Sequence, residues 1–416
     1  MVKSVIELAG RRYKRKTEIG KGTGLLLHRK CNCLNTILIN GPLTKVNVTM
    51  KDYGRKIFDL AVIGAGPAGA LTAALAADTG FSTVIAEQKT LPRQKICGGF
   101  ISERALSLLP SGFEFKSLEA EVINKIAILK GDTAYRYNSE GRLGIVIKRK
   151  DFDYCLTRYA CEKGAELIEG RPIARVVKTG TGKDGDYLYS LEDAGNRRNH
   201  LLSRFVIVAD GAAGRCSLPD ALRSRRKLLR GWGLTQFVQC EPEAVEEGTL
   251  KFYLLPLLGG MGWAFSGPDC WVNQGVGGLA GRRRLLRAYH KLFRSEAANQ
   301  NPLCWPLPFL GPLRKAASEN LMLIGDAAGL IEPFSGEGIY NSFKSATLAI
   351  EALITAREKQ TDAAAIYQSL YDTHFRSNFA ASLAGAFMMH TRSIALPATL
   401  PPLMAELMAN KLWFNR

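Results

Sequence analysis

The 416-residue sequence has no run of 18 apolar residues, and it does not begin with an apolar segment that ends in a small-residue cleavage site. The first absence argues against a membrane-spanning helix and the second against a secretory signal. Nine cysteines are present, but none form C-x-x-C pairs or zinc-ligand spacings. We therefore expect a globular protein of a reducing, cytoplasmic compartment, long enough for an α/β domain and a second region.

Acidic residues are few relative to basic ones: 38 Asp and Glu stand against 56 Lys and Arg, a formal net charge of +18. Residues 1–49 hold ten Lys and Arg against two Glu and show no sustained hydrophobic period. We predict that this leader is a basic, disordered extension outside the fold, and that nucleic acid is not the partner. The remaining basic surface suits pyrophosphates or an anionic membrane surface, with a solvated surface as the alternative.

The most specific motif is Gly64-x-Gly66-x-x-Gly69, which follows an apolar strand predicted over 58–63. The first glycine suits a tight turn, the second lets the backbone approach a pyrophosphate, and the third lets the next helix pack on the strand. A second strand over 82–86 ends at Glu87, whose carboxylate can bind a ribose hydroxyl. The contacts predicted in this β-α-β unit are Gly64, Gly66, Pro67, Ala68, Gly69, Glu87 and Gln88.

Two later strands also end in polar turns, one at Asp210 and one at Asp326. A short carboxylate at such a strand end can hold a ribose or ribityl hydroxyl. The Gly336-Glu337-Gly338 loop then opens a long predicted helix, whose first N–H groups can stabilise negative charge on a ligand. The contacts predicted here are Asp210, Gly211, Gly325, Asp326, Gly336, Gly338 and Ile339.

The loop over 91–100 ends in Cys97-Gly98-Gly99, and its glycines and proline exclude a regular helix. Its position just past the second strand places it at the ligand-binding edge of the sheet. Cys97 is either a reactive exposed thiol or an inert cysteine in a tight turn. A helix that includes Arg149 is predicted further along, with Asp151 as its N-cap.

The middle of the chain, over 231–280, is rich in aromatic residues and glycine and predicts a sheet with an apolar substrate face. It includes Trp263. The run from Gly275 to Gly281 imitates a second dinucleotide loop, but its spacing is G-x-G-x-x-x-G and no strand with a terminal acid follows. We therefore predict a single dinucleotide site.

These motifs resemble those of para-hydroxybenzoate hydroxylase-type flavoproteins and, within that group, the geranylgeranyl reductase family. The closer resemblance lies in the Cys-Gly-Gly loop, Arg149-x-x-Phe152-Asp153-x-x-Leu156, residues 262–265, and the stretch from Gly325 to Ile339. It covers about residues 55–360. The family pattern Gly-Tyr-x-Trp-x-Phe-Pro is altered here, because Met261 replaces the aromatic residue and Ser266 the proline. This departure leaves the identity of the substrate open.

The resemblance implies bound FAD and reduction of isoprenoid C=C bonds, with Cys97, Gly98 and Trp263 as catalytic residues. It also adds Cys97, Gly98, Gly99 and Arg149 to the FAD contacts. The implied fold is α/β: a Rossmann-like FAD-binding domain with an interleaved antiparallel substrate sheet and C-terminal helices. We assign 1–49 to the leader, 50–115, 145–220 and 315–357 to the FAD-binding domain, 116–144 and 221–314 to the substrate domain, and 358–416 to the C-terminal helices.

The function expected is therefore saturation of a prenyl chain carried by a lipid, quinone, pigment or diphosphate. Two alternatives stay open: an aromatic monooxygenase or halogenase of the same fold, and a flavoprotein that passes electrons to quinone. No second dinucleotide domain is predicted, so the electron donor is transiently bound NADPH, or ferredoxin or another donor protein. The apolar C-terminal tail, over 396–414, is either a helix packed on the catalytic core or a candidate for peripheral membrane contact or for covering a lipid tunnel.

Overall fold

The computed structural model describes residues 36–37, 44–45, 56–115, 117–181, 187–193, 200–223, 229–257, 259–293, 302–309 and 311–391. The strands are β1 (Thr36–Ile37), β2 (Thr44–Lys45), β3 (Ile57–Ile63), β4 (Thr83–Ala86), β5 (Phe100–Ser102), β6 (Ala120–Ile123), β7 (Lys125–Lys130), β8 (Thr133–Asn138), β9 (Gly144–Ile147), β10 (Glu166–Ile168), β11 (Ile173–Thr181), β12 (Tyr187–Asp193), β13 (His200–Val208), β14 (Leu229–Gln239), β15 (Thr249–Leu254), β16 (Met261–Ser266), β17 (Trp271–Gly278), β18 (Leu303–Phe309), β19 (Ala317–Ser318) and β20 (Leu321–Leu323). The helices are α1 (Pro67–Asp78), α2 (Glu103–Leu106), α3 (Arg149–Glu162), α4 (Asp220–Arg223), α5 (Arg282–Leu292), α6 (Ile339–Lys359), α7 (Ala363–Tyr371) and α8 (Ser377–Thr391).

The chain divides into two units, Met1–Asp52 and Tyr53–Arg416. In the first unit, β1 pairs antiparallel with β2. The rest of the predicted basic leader lies outside the described residues, as does the apolar tail after residue 391. All features that follow belong to the second unit.

The first large sheet runs β10-β4-β3-β13-β12-β11, and β20 pairs with the end of β13 on the edge opposite β3. Strands β10, β4, β3, β13 and β20 are parallel, as a β-α-β origin requires. β3 and β4 are apolar and almost wholly buried, because helices cover both faces of such a sheet. Helix α1 is built from small residues and packs against α3 and α6. This geometry brings the ends of β3, β13 and β20 together at one edge.

The second large sheet runs β18-β14-β17-β16-β15-β7-β8. All its pairs are antiparallel except β15 with β7. Helix α5 covers one face, where Leu285 and Tyr289 pack on Leu234 and Val276. Gly275 and Gly277 lie inside β17, so the G-x-G imitation is a strand, as the missing acid indicated.

Two further helical regions refine the sequence predictions. α3 begins at Arg149 after the N-cap residue Lys148, so the prediction that Asp151 caps this helix is wrong. Asp151 lies in the first turn instead, where its charge complements the helix dipole. α7 and α8 are joined by a π-helical turn over Asp372–Arg376. Among the residues placed by the structure, no helix is long and apolar enough to cross a bilayer.

Candidate active site

A cavity of about 780 Å³ lies between the carboxyl edge of the first sheet and the face of the second sheet opposite α5. The three predicted catalytic residues, Cys97, Gly98 and Trp263, line it together. Gly69 and Gly325 do not line it. The other predicted ligand contacts do line it, namely Gly64, Gly66, Pro67, Ala68, Glu87, Gln88, Cys97, Gly98, Gly99, Arg149, Asp210, Gly211, Asp326, Gly336, Gly338 and Ile339.

The glycine turn after β3 leaves space on one side only. Gly64 has φ +103°, and a Cβ there would lie 2.5 Å from the carbonyl oxygen of Ala209. A Cβ at Gly69 would lie 1.9 Å from the Gly64 oxygen, so this glycine serves helix packing rather than ligand contact. At Gly66 a Cβ would meet only Arg93 Nη2, at 3.8 Å, so the cradle at the start of α1 is open. No side chain caps α1, which leaves its first N–H groups for a phosphate.

Glu87 is buried at the end of β4 and is already engaged by the protein. One carboxylate oxygen accepts from the Ala65 N–H at 2.9 Å, and the other accepts from the Lys89 N–H at 3.0 Å. Arg93 Nε lies 3.4 Å from the second oxygen. A carboxylate oxygen can accept more than one hydrogen bond, so Glu87 keeps the capacity to bind a ribose hydroxyl.

Several basic and neighbouring residues at this end of the cavity escaped sequence reasoning. Arg93 approaches the phosphate cradle, and Arg171 enters from the segment between β10 and β11, where it pairs with Asp193 at 2.6 Å. Arg171 reaches the cavity because β10 is parallel to β4, so the residues that follow both strands lie at the same sheet edge, and this pairing is not visible in the sequence pattern. The lining residues missed here are Lys89, Arg93, Arg171, Pro172, Ile173, Ala174 and Arg215.

Arg149 joins the cysteine loop to the carboxylates. Its guanidinium is 4 % exposed, is held by Asp153 at 2.8 Å, and donates from Nη1 to Cys97 Sγ at 3.2 Å. Burial by itself would lower the pKa of Arg149, but the charges of Asp153, Cys97 and Asp326 outweigh it and raise that pKa above its ordinary value. The side chain is therefore a permanent buried cation that contacts Asp153 and the Cys97 sulfur and is influenced by the charge of Asp326.

The cysteine loop is fixed to the second sheet by a residue that the sequence did not single out. Asn273 on β17 is fully buried, donates from Nδ2 to the Cys97 carbonyl at 3.1 Å, and accepts from Trp263 Nε1 at 2.8 Å and Thr235 at 2.7 Å. A Cβ at Gly98 would lie 2.9 Å from the ring of Phe265. The sequence pattern offers no signal that selects Asn273, because Gln274 follows it in the same strand.

Beyond this loop the cavity becomes apolar. Its walls come from alternating positions of β15, β16 and β18, which point to the same face of the sheet. The indole N–H of Trp305 is buried and has no hydrogen-bond partner within the described ranges. The apolar lining residues are Phe252, Leu254, Met261, Trp263, Phe265, Leu303, Trp305, Leu307, Phe309 and Phe334.

The comparisons with known proteins agree with this geometry. The family profile described as FAD binding domain matches residues 58–255. The menaquinone reductase of Mycolicibacterium smegmatis is 27% identical over 365 residues, covering 82% of this chain and 85% of its own. A digeranylgeranylglycerophospholipid reductase of Methanocaldococcus jannaschii is 24% identical over 314 residues, covering 71% and 76%.

Solved structures share the fold. A geranylgeranyl bacteriochlorophyll reductase-like protein of Thermoplasma acidophilum superposes with a TM-score of 0.67 at 20% identity, covering 85% of this chain and 92% of its own. The flavin-dependent halogenase CmlS superposes with a TM-score of 0.61 at 17% identity, covering 87% and 71%.

Fold, sequence profile and reductase relatives together define the class: the chain is an FAD-dependent oxidoreductase with a para-hydroxybenzoate hydroxylase-type fold. Within that class its resemblance to the geranylgeranyl reductase family is confirmed. The residues present fit FAD, because the Gly66 cradle is open and the start of α1 is uncapped at the end where a pyrophosphate would lie.

Proposed function

We propose that the protein saturates C=C bonds of a prenyl chain, carried by a lipid, quinone, pigment or diphosphate. The observation that carries this proposal is the shape of the cavity. One end has the open glycine cradle and the cations Arg93 and Arg171. The other end, the apolar arm, is lined by the apolar residues of β15, β16 and β18. The Cys97-Gly98 loop lies between the two ends and packs on Trp263 and Phe265. The relatives named as reductases of prenylated compounds support the same substrate class.

The roles proposed for the chain's residues follow from their contacts. Bound FAD would supply hydride for one alkene carbon. The cradle from Gly64 to Ala68, with Glu87 and Gln88, would hold the adenosine and pyrophosphate, and the Asp210 and Asp326 turns the sugar and ribityl hydroxyls. The Gly336 to Ile339 segment at the start of α6 would face the ring.

The apolar arm would hold the prenyl chain and exclude water. An unactivated alkene is a weak electrophile, so its carbon must be held close to the hydride donor in a dry site. Arg149 and Asn273 fix the Cys97 loop from two sides, by a bond to the sulfur and a bond to the carbonyl. Gly98 allows Phe265 and Trp263 to approach the loop. Cys97 would act beside the reacting bond, as proton donor or as positioning residue.

We also propose the domain division predicted from the sequence. The FAD-binding domain would comprise 50–115, 145–220 and 315–357, and the substrate domain 116–144 and 221–314. The inclusion of β7 and β8 in the same sheet as β14 to β18 supports this interleaving. The electron donor would be transiently bound NADPH or a donor protein such as ferredoxin, and contact with membrane lipid would be peripheral.

The test is anaerobic. Purified FAD-loaded protein is reduced chemically and mixed with geranylgeranyl phospholipid, menaquinone or geranylgeranyl diphosphate, and flavin reoxidation and product mass are followed. If the protein is a prenyl reductase, its flavin is reoxidised by the substrate without oxygen, and the product gains one equivalent of H₂ for each double bond reduced. A flavin that stays reduced until oxygen arrives would favour a monooxygenase or halogenase.

A variant separates the reductase from an electron carrier. Cys97→Ala should lower alkene reduction by about tenfold or more while FAD stays bound, because the loop lies beside the apolar arm. Cys155→Ala, a half-buried thiol on α3, is the matched control. If Cys97→Ala passes electrons to quinone at the wild-type rate and the wild type reduces no alkene, the protein is a carrier.

A further inference from the structure

The loop before α6 contains two buried carboxyl groups, and the cation that acts on both of them is Arg104 on α2. Glu337 lines the cavity, and its side chain is 7 % exposed. Glu332 is buried five residues earlier, and its N–H donates to the Glu337 carbonyl at 2.9 Å. Arg104 on α2 lies 3.5 Å from Glu337 Oε2 and stacks on the ring of Tyr340, 3.6 Å from its centroid. One buried cation cannot balance two buried anions, so one carboxyl group is expected to keep its proton.

The hydrogen bonds decide which carboxyl group this is. Glu332 accepts from the N–H groups of Phe334 and Ser335 and from the Ser335 hydroxyl. Glu337 accepts from the Ser102 hydroxyl and meets Arg104 at the longer distance. Because three donors stabilise the Glu332 carboxylate, the proton is expected on Glu337.

The titration of Glu337 agrees with this arrangement. Burial raises its pKa to about 7, the neighbouring charge of Glu332 adds to the rise, and Arg104 and Ser102 oppose it. Burial also raises the pKa of Glu332 from its ordinary value, against the donors of Phe334 and Ser335. An acid that titrates near neutral pH is suited to proton transfer at that pH.

The charged and titratable groups around this pair are few among the described residues. Tyr340 lies under Arg104, and its hydroxyl is 3.5 Å from His374 Nε2. Burial, with the charges of Lys344 and Arg104, lowers the pKa of His374 to about 4, so this imidazole is neutral near pH 7. The neutral ring adds no second cation near pH 7, so Arg104 remains the cation that contacts Glu337.

We propose that Glu337, held by Ser102 and positioned by Arg104, is the acid that supplies the proton consumed when the alkene is reduced. This role rests on the proposed function. The O–H bond of Glu337 breaks and a C–H bond forms at one alkene carbon, directly or through one water. Bound reduced FAD would supply hydride to the other carbon, and the Glu337 carboxylate would regain a proton from solvent.

The assignment leaves Cys97 a positioning role. Its sulfur accepts a hydrogen bond from Arg149 Nη1 at 3.2 Å, and its carbonyl accepts one from Asn273, so both contacts fix the position of the loop. Glu337 is held by a hydroxyl and lies in the same cavity. The pH profile of Glu337→Gln therefore tests the acid role of Glu337 separately from the position of Cys97.

The experiment compares wild type, Glu337→Gln and Glu103→Gln in anaerobic single turnovers with chemically reduced, FAD-loaded protein and a geranylgeranyl lipid. Glu103 is a half-buried carboxyl on the same short helix as Arg104, paired with Arg142, and is the matched control. Wild type and the control should lose rate about tenfold per pH unit above about pH 7. Glu337→Gln should be about 10²-fold slower at pH 6, with no such pH dependence and unchanged FAD content.

Three outcomes would overturn the proposal. Glu337→Gln with the wild-type rate and pH profile would exclude Glu337 as the acid, and loss of FAD from this variant would make its role cofactor binding. A wild-type protein that reduces no prenyl alkene would overturn the proposed function together with this role. In that case the pH dependence of unfolding, which needs no substrate, still shows whether Glu337 stores a proton.

Discussion

The storage of a proton on Glu337 predicts an unusual dependence of stability on pH. The carboxyl has a pKa of about 7 in the folded chain, against an ordinary value of 4.5. Between these two values the folded state binds more protons than the unfolded state. The free energy of unfolding therefore falls as pH rises through this window, and the stabilising contribution present below about pH 4.5 is lost above about pH 7.

The size of the effect follows from the difference between these two pKa values. A tenfold change in an acid dissociation constant corresponds to about 1.4 kcal/mol, so Glu337 would contribute a loss on the order of 3 kcal/mol between about pH 4.5 and pH 7. Glu337→Gln removes this component, because glutamine does not titrate. The variant should thus become more stable relative to wild type, by on the order of 3 kcal/mol, as pH rises across the window.

The assay is denaturant unfolding of the full chain at saturating FAD, repeated at pH values from about 5 to about 8, with Glu103→Gln as control. The quantity compared is the difference in unfolding free energy between each variant and wild type, which cancels the other titrating groups. If the difference for Glu337→Gln stays constant with pH, Glu337 is not protonated in the fold, and the assignment of the proton to Glu337 is refuted.

Three further predictions concern positions around the site. Gly69→Ala should abolish FAD binding and lower the melting temperature, because the added Cβ would lie 1.9 Å from a backbone oxygen. Gly281→Ala is the control and should change neither property, because its Cβ would meet open space. Absorbance at the flavin band and thermal unfolding measure the two effects. Asn273→Ala should destabilise the fold by about 2 to 4 kcal/mol and slow turnover, because buried Thr235 and the partly buried Trp263 and Cys97 each lose a hydrogen bond. Equal unfolding midpoints would contradict this prediction. Ser102→Ala should move the pH profile of turnover to higher pH, because the Ser102 hydroxyl lowers the pKa of Glu337. Loss of the helix cap should also cost about 1 kcal/mol of stability. An unchanged pH profile would show that Ser102 does not influence the acid that controls turnover.

The sequence by itself determined the nucleotide-binding half of the site. Gly64, Gly66 and Glu87 are adjacent along the chain in one β-α-β unit, and local rules of turn and helix formation are enough to interpret them. The same holds for Asp326 and the start of α6, because a strand end and a helix start are also local features. The second sheet was also predictable, because residues 231–280 are rich in aromatic residues, which favour strands.

Only the tertiary structure decided which distant residues meet. Asn273 on β17 reaches the Cys97 carbonyl, and Arg171 reaches the cavity because β10 pairs with β4. Glu337 lies between two glycines that the sequence pattern assigned to the site. Its protonation depends on Arg104 and Ser102, which are more than 230 positions away in the chain. Burial and charge balance are properties of assembled surroundings, since desolvation and opposing charges act through space rather than along the chain.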